Sequence, residues 1–99
     1  MNAQELHAIV SELPEERWPD DELTYGSGYG WYRIRRGDGI ELIGDRLALL
    51  IWEGHLSRKV AEAGYREYAF ADRWATSVGQ SATHPTRIEA LVAAVKGLE

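Results

Sequence analysis

The residues able to do chemistry are few and scattered. Gly26-Ser27-Gly28-Tyr29-Gly30 has the composition of a phosphate-binding loop. Such a loop must follow a strand and feed a helix N-terminus, whose free N–H groups meet the phosphate. Here the glycines precede a predicted strand, no helix follows them, and no Lys-Ser/Thr accompanies them. The three histidines, His7, His55 and His84, do not pair at ligand spacing, and Glu53-x-His55 is too short a fragment for a metal site. Ser77 or Ser81 with His84 and Asp72 supplies the residue types of a hydrolytic trio, but no nucleophile-elbow pattern surrounds either serine. Carboxylate chemistry is more open. Glu41, Glu53, Glu67 and Asp72 all fall on predicted elements, and a buried pair of them would serve acid–base work. The absence of cysteine excludes disulfides, thiolate metal sites and thiol nucleophiles together. These residues therefore assign no catalytic group, no metal and no cofactor.

The aromatic residues carry more information. Trp18, Trp31, Tyr32, Trp52, Tyr65, Tyr68, Phe70 and Trp74 are more large rings than a core of this size needs. Large rings fill a thin domain efficiently, so one reading is that they are the core. The other is a pocket or interface lined by rings. On that reading the binding candidates are Tyr25, Tyr29 and Trp31 on the glycine-rich segment, Arg33 and Arg35 on the strand after it, and Trp52 and Trp74. An edge strand at this place would pair with its symmetry mate and form a homodimer.

Charge narrows the partners. Residues 1–24 hold seven acids against one base, Arg17, whereas residues 25–99 sum to +1, so the net charge of −5 belongs to the N-terminal quarter. That quarter is a solvated acidic helix and loop, or a docking surface for a basic partner. Arg33, Arg35 and Arg36 beside it make a poor phosphate track, which argues against nucleic acid. The longest apolar run, Leu47 to Trp52, is far short of a membrane span. With no basic, apolar leader at Met1-Asn2-Ala3-Gln4-Glu5, the expectation is a cytoplasmic protein.

Elements must now position these groups. Asn2 caps a helix with Leu6, Ile9, Val10 and Leu13 on one stripe, and Pro14 stops it near Leu13. Residues 14–24 read as a loop from which Trp18 folds back onto the body. Residues 31–36 and 40–43 form a hairpin around Gly37-Asp38-Gly39, with Tyr32, Ile34 and Arg36 on one face and Trp31, Arg33 and Arg35 on the other. The run 47–52 suits either a buried strand or a helix. The spacing of Leu49, Trp52, Leu56, Val60 and Ala63 favours one helix over 46–63, with Asp45 as N-cap and Gly64 as stop. The alternative is a strand at 47–52 followed by a helix at 56–63. Residues 65–71 and 74–78 are strands joined at Asp72-Arg73. A final helix opens at His84-Pro85, capped by Thr83 or His84, buries Ile88, Leu91, Val92 and Val95, and ends at Gly97.

This pattern predicts an α+β fold: a single two-layer domain spanning 1–99, with about four mostly antiparallel strands and N-terminal, central and C-terminal helices packed on the sheet. It divides into an acidic helix and loop at 1–24 and a body at 25–97. Leu98-Glu99 matches a vector-derived ending as well as a native one. From Trp74-Ala75-Thr76-Ser77-Val78-Gly79-Gln80 through Thr83-His84-Pro85 into the Ala/Leu-rich helix to Val95, the last quarter resembles small α-β sandwich domains of phages and mobile gene cassettes. That resemblance implies an architecture and no site residues. The leading expectation is a non-catalytic binding or protein-interaction domain acting as a homodimer, with a protein or small molecule as its partner. Two alternatives stand beside it. One is a small enzyme with a carboxylate/Tyr/His site in an aromatic pocket. The other is an acidic decoy or inhibitor of a basic partner, acting through residues 12–22.

Overall fold

The computed structural model describes residues 1–19, 23–35, 37, 39–79 and 82–98. The expected roles of Asp20, Asp21, Glu22, Arg36, Asp38 and Ser81 lie outside these residues. The chain is α+β, and it forms two compact units, Met1–Trp52 and Glu53–Glu99.

In the first unit, α1 (Ala3–Val10) opens with a reciprocal capping box: the Glu5 N–H donates to the Asn2 side chain at 2.8 Å, and the Asn2 N–H donates to the Glu5 carboxylate at 3.3 Å. The helix ends three residues earlier than its apolar stripe suggested. Ser11 Oγ donates to the Ala8 carbonyl, and Leu13, which precedes a proline and is disfavoured from helical geometry, closes a turn onto the Val10 carbonyl. Leu13 is nonetheless buried with Leu6 and Val10. A 3-10 turn, Glu15–Arg17, carries the chain to Trp18.

Three antiparallel strands follow, β1 (Thr24–Gly26), β2 (Gly30–Arg35) and β3 (Gly39–Ile43), in the order β1-β2-β3. Gly28 and Gly30 adopt φ of +90° and +83° in the β1–β2 turn, where a side chain would be strained. The β2–β3 register pairs Trp31 with Ile43, Arg33 with Glu41, Tyr32 with Leu42, and Ile34 with Ile40. The expected alternation of faces is therefore present.

The ambiguous run is helical: α2 spans Asp45–Glu62. Asp45 is its first residue rather than its cap, since the Gly44 carbonyl already accepts the Ala48 N–H. The buried stripe is Ala48, Trp52, Leu56 and Val60, at a strict i, i+4 spacing. It is displaced from the expected one at its ends, with Leu49 only half-buried and Ala63 exposed. Gly64 does stop the helix. At φ +87° it forms a Schellman cap, with Tyr65 N–H on the Val60 carbonyl and Gly64 N–H on the Ala61 carbonyl.

The second unit contains a separate two-stranded antiparallel sheet, β4 (Glu67–Ala69) with β5 (Trp74–Thr76), and α3 (Arg87–Gly97), which packs on β5. Five strands in two sheets thus replace the expected four or so. Both strands of the second hairpin are shorter than the aromatic-rich sequence suggested, because Phe70 and Arg73 close the connection by a backbone hydrogen bond at 2.8 Å. His84 does not cap α3. It makes a two-way backbone bridge with Trp74, and Thr86 is the cap, accepting from the Glu89 N–H and donating to the Glu89 carboxylate. Gly97 is the last helical residue rather than a stop beyond it, and Leu98 is the C-cap. The expected apolar stripe of Ile88, Leu91, Val92 and Val95 is buried.

Candidate functional site

Two features stand out, one in each unit. In the first, the two faces of the β1–β3 sheet differ. One face carries Trp31 and Ile43 into the core, and Tyr25, half-buried, lies on the same face. Five rings meet there. His7 stacks on Tyr25 at 3.9 Å between centroids, Trp31 lies 5.4 Å from Tyr25, and Trp18 lies 5.7 Å from Trp31 and 5.3 Å from Trp52. Trp31 Nε1 donates to the Ala3 carbonyl, which ties α1 to β2, and Trp18 Nε1 donates to the Leu13 carbonyl. Trp18 thus folds back as expected.

The other face is open. Ile34 is 58% exposed, and Ile40 and Leu42 are each 64% exposed, although cross-strand pairing sets them side by side with Tyr32. β3 pairs only with β2 among the described residues, so its outer edge presents backbone N–H and C=O groups next to this apolar strip. Edges of this kind are commonly blunted by proline, lysine or an inward charge. β3 has Glu41 alone, which lies on the opposite face in an ion pair with Arg35.

The sequence-derived candidates therefore separate. Trp31 and Trp52, at 1% and 0% exposure, are core residues with no surface for a ligand. Tyr25 turns inward against His7. Tyr29, 75% exposed, stands at the tip of the β1–β2 turn, and Arg33 and Arg35 share the Trp31 face rather than the open one. Trp74, half-buried, belongs to the second unit beneath the Arg87 guanidinium, 5.9 Å from its ring. Ile34, Ile40 and Leu42 are not among the sequence-derived candidates, which are all aromatic or basic. The available signal was a hairpin with apolar residues on both of its faces.

The second unit holds a half-buried polar cluster. Glu67 on β4 accepts from Arg87 Nε at 2.8 Å, from Arg87 Nη2 at 3.4 Å and from Ser57 Oγ on α2, while Arg87 Nη2 also donates to Ser57 Oγ. Burial works to raise the Glu67 pKa, but the Arg87 and Ser57 hydrogen bonds and the Arg87 charge outweigh it and hold the carboxyl below its ordinary value. Glu53 goes the other way. Burial raises it, the Glu67 charge adds to that, and Arg87 only partly compensates. Two of the four carboxylates singled out in the sequence thus do meet at one place. An ionised Glu67 holding Arg87 and Ser57 is a weak base, however, and neither carboxylate lines any of the grooves near Thr76, Phe70 or Trp18. The described residues contain no group of three or more His, Asp or Glu placed to hold a metal ion.

No family model, curated protein or solved structure matches the chain. No helix among the described residues is long and apolar enough to cross a membrane.

Proposed function

We propose that this chain is a non-catalytic, cytoplasmic interaction domain that acts as a homodimer, joined along β3. The observation that supports it is an unpaired edge strand whose open face is apolar, with Ile40 and Leu42 each 64% exposed beside Ile34. A second copy is the economical occupant because the strand is self-complementary. Antiparallel pairing of β3 with its own copy about a twofold axis sets Ile40 against Leu42 of the second copy, and joins two three-stranded sheets into one of six. The two Glu41 side chains then meet at the axis on the opposite face, each already neutralised by its Arg35. Catalysis forms no part of the proposal, since Ser57 and Glu67 are spent on Arg87.

Sedimentation equilibrium of the wild type and of Leu42→Lys tests this. Burying a fully exposed Leu contributes about 1.5–3 kcal/mol, so the 64% of Leu42 that is open offers about 1–2 kcal/mol. The twofold counts each substitution twice, which gives about 2–4 kcal/mol and a weakening of dimerisation of roughly thirtyfold or more. The expected result is a concentration-dependent dimer for the wild type and a monomer for a Leu42→Lys variant with an unchanged circular dichroism spectrum. A wild type monomeric at millimolar concentration overturns the proposal.

A further inference from the structure

The first unit carries another surface that the dimer does not use. A groove of about 200 Å³ is lined by Glu15, Trp18, Pro19, Leu23 and Thr24. Pro19 and Leu23 are buried and give it an apolar floor. Trp18 is half-buried. Its rings pack on Trp31 and Trp52 and its N–H is spent on the Leu13 carbonyl, so what the indole offers outward is apolar and π surface. Glu15 stands exposed on the rim, and its carboxylate has no hydrogen bond or ion pair among the described residues. Glu16, beside it on the same 3-10 turn, is exposed as well, and Arg17 is the one base of residues 1–24. A negative field over an indole is complementary to a cation on an apolar stem. Tryptophan is the ring that attracts Lys and Arg most strongly, and both residues lay their methylenes along apolar surface while the charge stays in water.

We infer that this groove docks a basic, extended segment of a partner protein, with a Lys or Arg stem against Trp18 and Pro19 and its charge at Glu15. The inference goes beyond the proposed homodimer and does not depend on it, because none of these residues lies on β3. The direct test is a titration of the intact, ¹⁵N-labelled protein with a short Lys/Arg-rich peptide, and with the same peptide carrying Gln at every basic position. Trp18 is left in place because it touches Trp31 and Trp52. Glu15→Gln removes the charge without touching the core. The expected result is a saturable shift of the Trp18 indole N–H and of the backbone of Glu15, Leu23 and Thr24, seen with the basic peptide only. It should weaken about fivefold in Glu15→Gln and fall with added salt. Equal binding of the Gln peptide, shifts spread over all acidic residues without a Trp18 response, or undiminished binding by Glu15→Gln each overturns the inference. Sedimentation of Glu15→Gln is expected to match the wild type, so a failure of the groove is distinguishable from a failure of the dimer.

Discussion

Removing the Glu67 charge tests how the second unit is held together. Glu67→Gln keeps the side-chain shape and one carbonyl acceptor but loses the charge that draws Arg87 Nε to 2.8 Å. Hydrogen bonds to charged groups contribute about 1.5–3 kcal/mol, whereas exposed ion pairs contribute about 0–1. The Glu67 side chain is 23% exposed and that of Arg87 is 34%, so the interaction falls between these limits. Screening then brings the expected loss at pH 7 to about 1–1.5 kcal/mol, a fall in Tm of roughly 5–10 °C for a chain of this size. The sign with pH follows from the lowered pKa. Glu67 contributes its stability above the ordinary carboxylate value of 4.5, and that stability disappears as pH falls through the lower folded value. Thermal melts by circular dichroism from pH 7 to pH 3, at one protein concentration, should therefore show wild type and Glu67→Gln apart at neutral pH and converging in acid. A double-mutant cycle with Arg87→Met should return most of the loss as coupling. Melts that superimpose at pH 7, or that separate further in acid, would refute this reasoning.

Three further outcomes follow from the same structure. Glu53→Gln should be neutral to stabilising at pH 7, and its difference from wild type should vanish below pH 4.5, because a raised folded pKa means that the ionised form opposes folding; paired pH-dependent melts check it. Gly64→Ala should cost about 1–2 kcal/mol in urea unfolding through backbone strain alone, since φ is +87° and no atom lies within 4 Å of the added Cβ. Leu56→Ala, at a fully buried position of α2, should cost about 2–5 kcal/mol by the same measurement.

What was legible in the sequence is what is decided locally. The Asn2 cap, the β2–β3 hairpin with its alternating faces, the Gly64 stop and the apolar stripe of α3 each depend on residues within a few positions of one another. Thr86, three residues before Glu89, was equally local evidence for a cap, and Pro85 drew the start of α3 two residues too early. The rest required the third dimension. Glu67 and Arg87 are 20 residues apart, and nothing in their neighbourhoods announces the ion pair. His7 on α1 stacks on Tyr25 of β1 only because both elements come together around Trp31. Likewise, an apolar residue on a strand does not declare whether its face is covered. Trp31 and Leu42 lie on adjacent strands of one hairpin, yet one is in the core and the other is open. The aromatic excess thus divides: Trp31 and Trp52 are core, Trp18, Tyr32 and Trp74 are half-buried, Tyr65, Tyr68 and Phe70 are exposed, and the candidate dimer surface is aliphatic.

Pairing of two copies along β3 can be read out by NMR on a mixed sample in which one half of the protein is ¹³C,¹⁵N-labelled and the other half is not. Isotope-filtered NOEs report only contacts between copies. The expected result is intermolecular contacts among Ile40, Glu41 and Leu42 across an antiparallel pair, lost in Leu42→Lys. A dimer whose intermolecular contacts arise elsewhere, with the β3 amides exchanging freely with solvent, would contradict it.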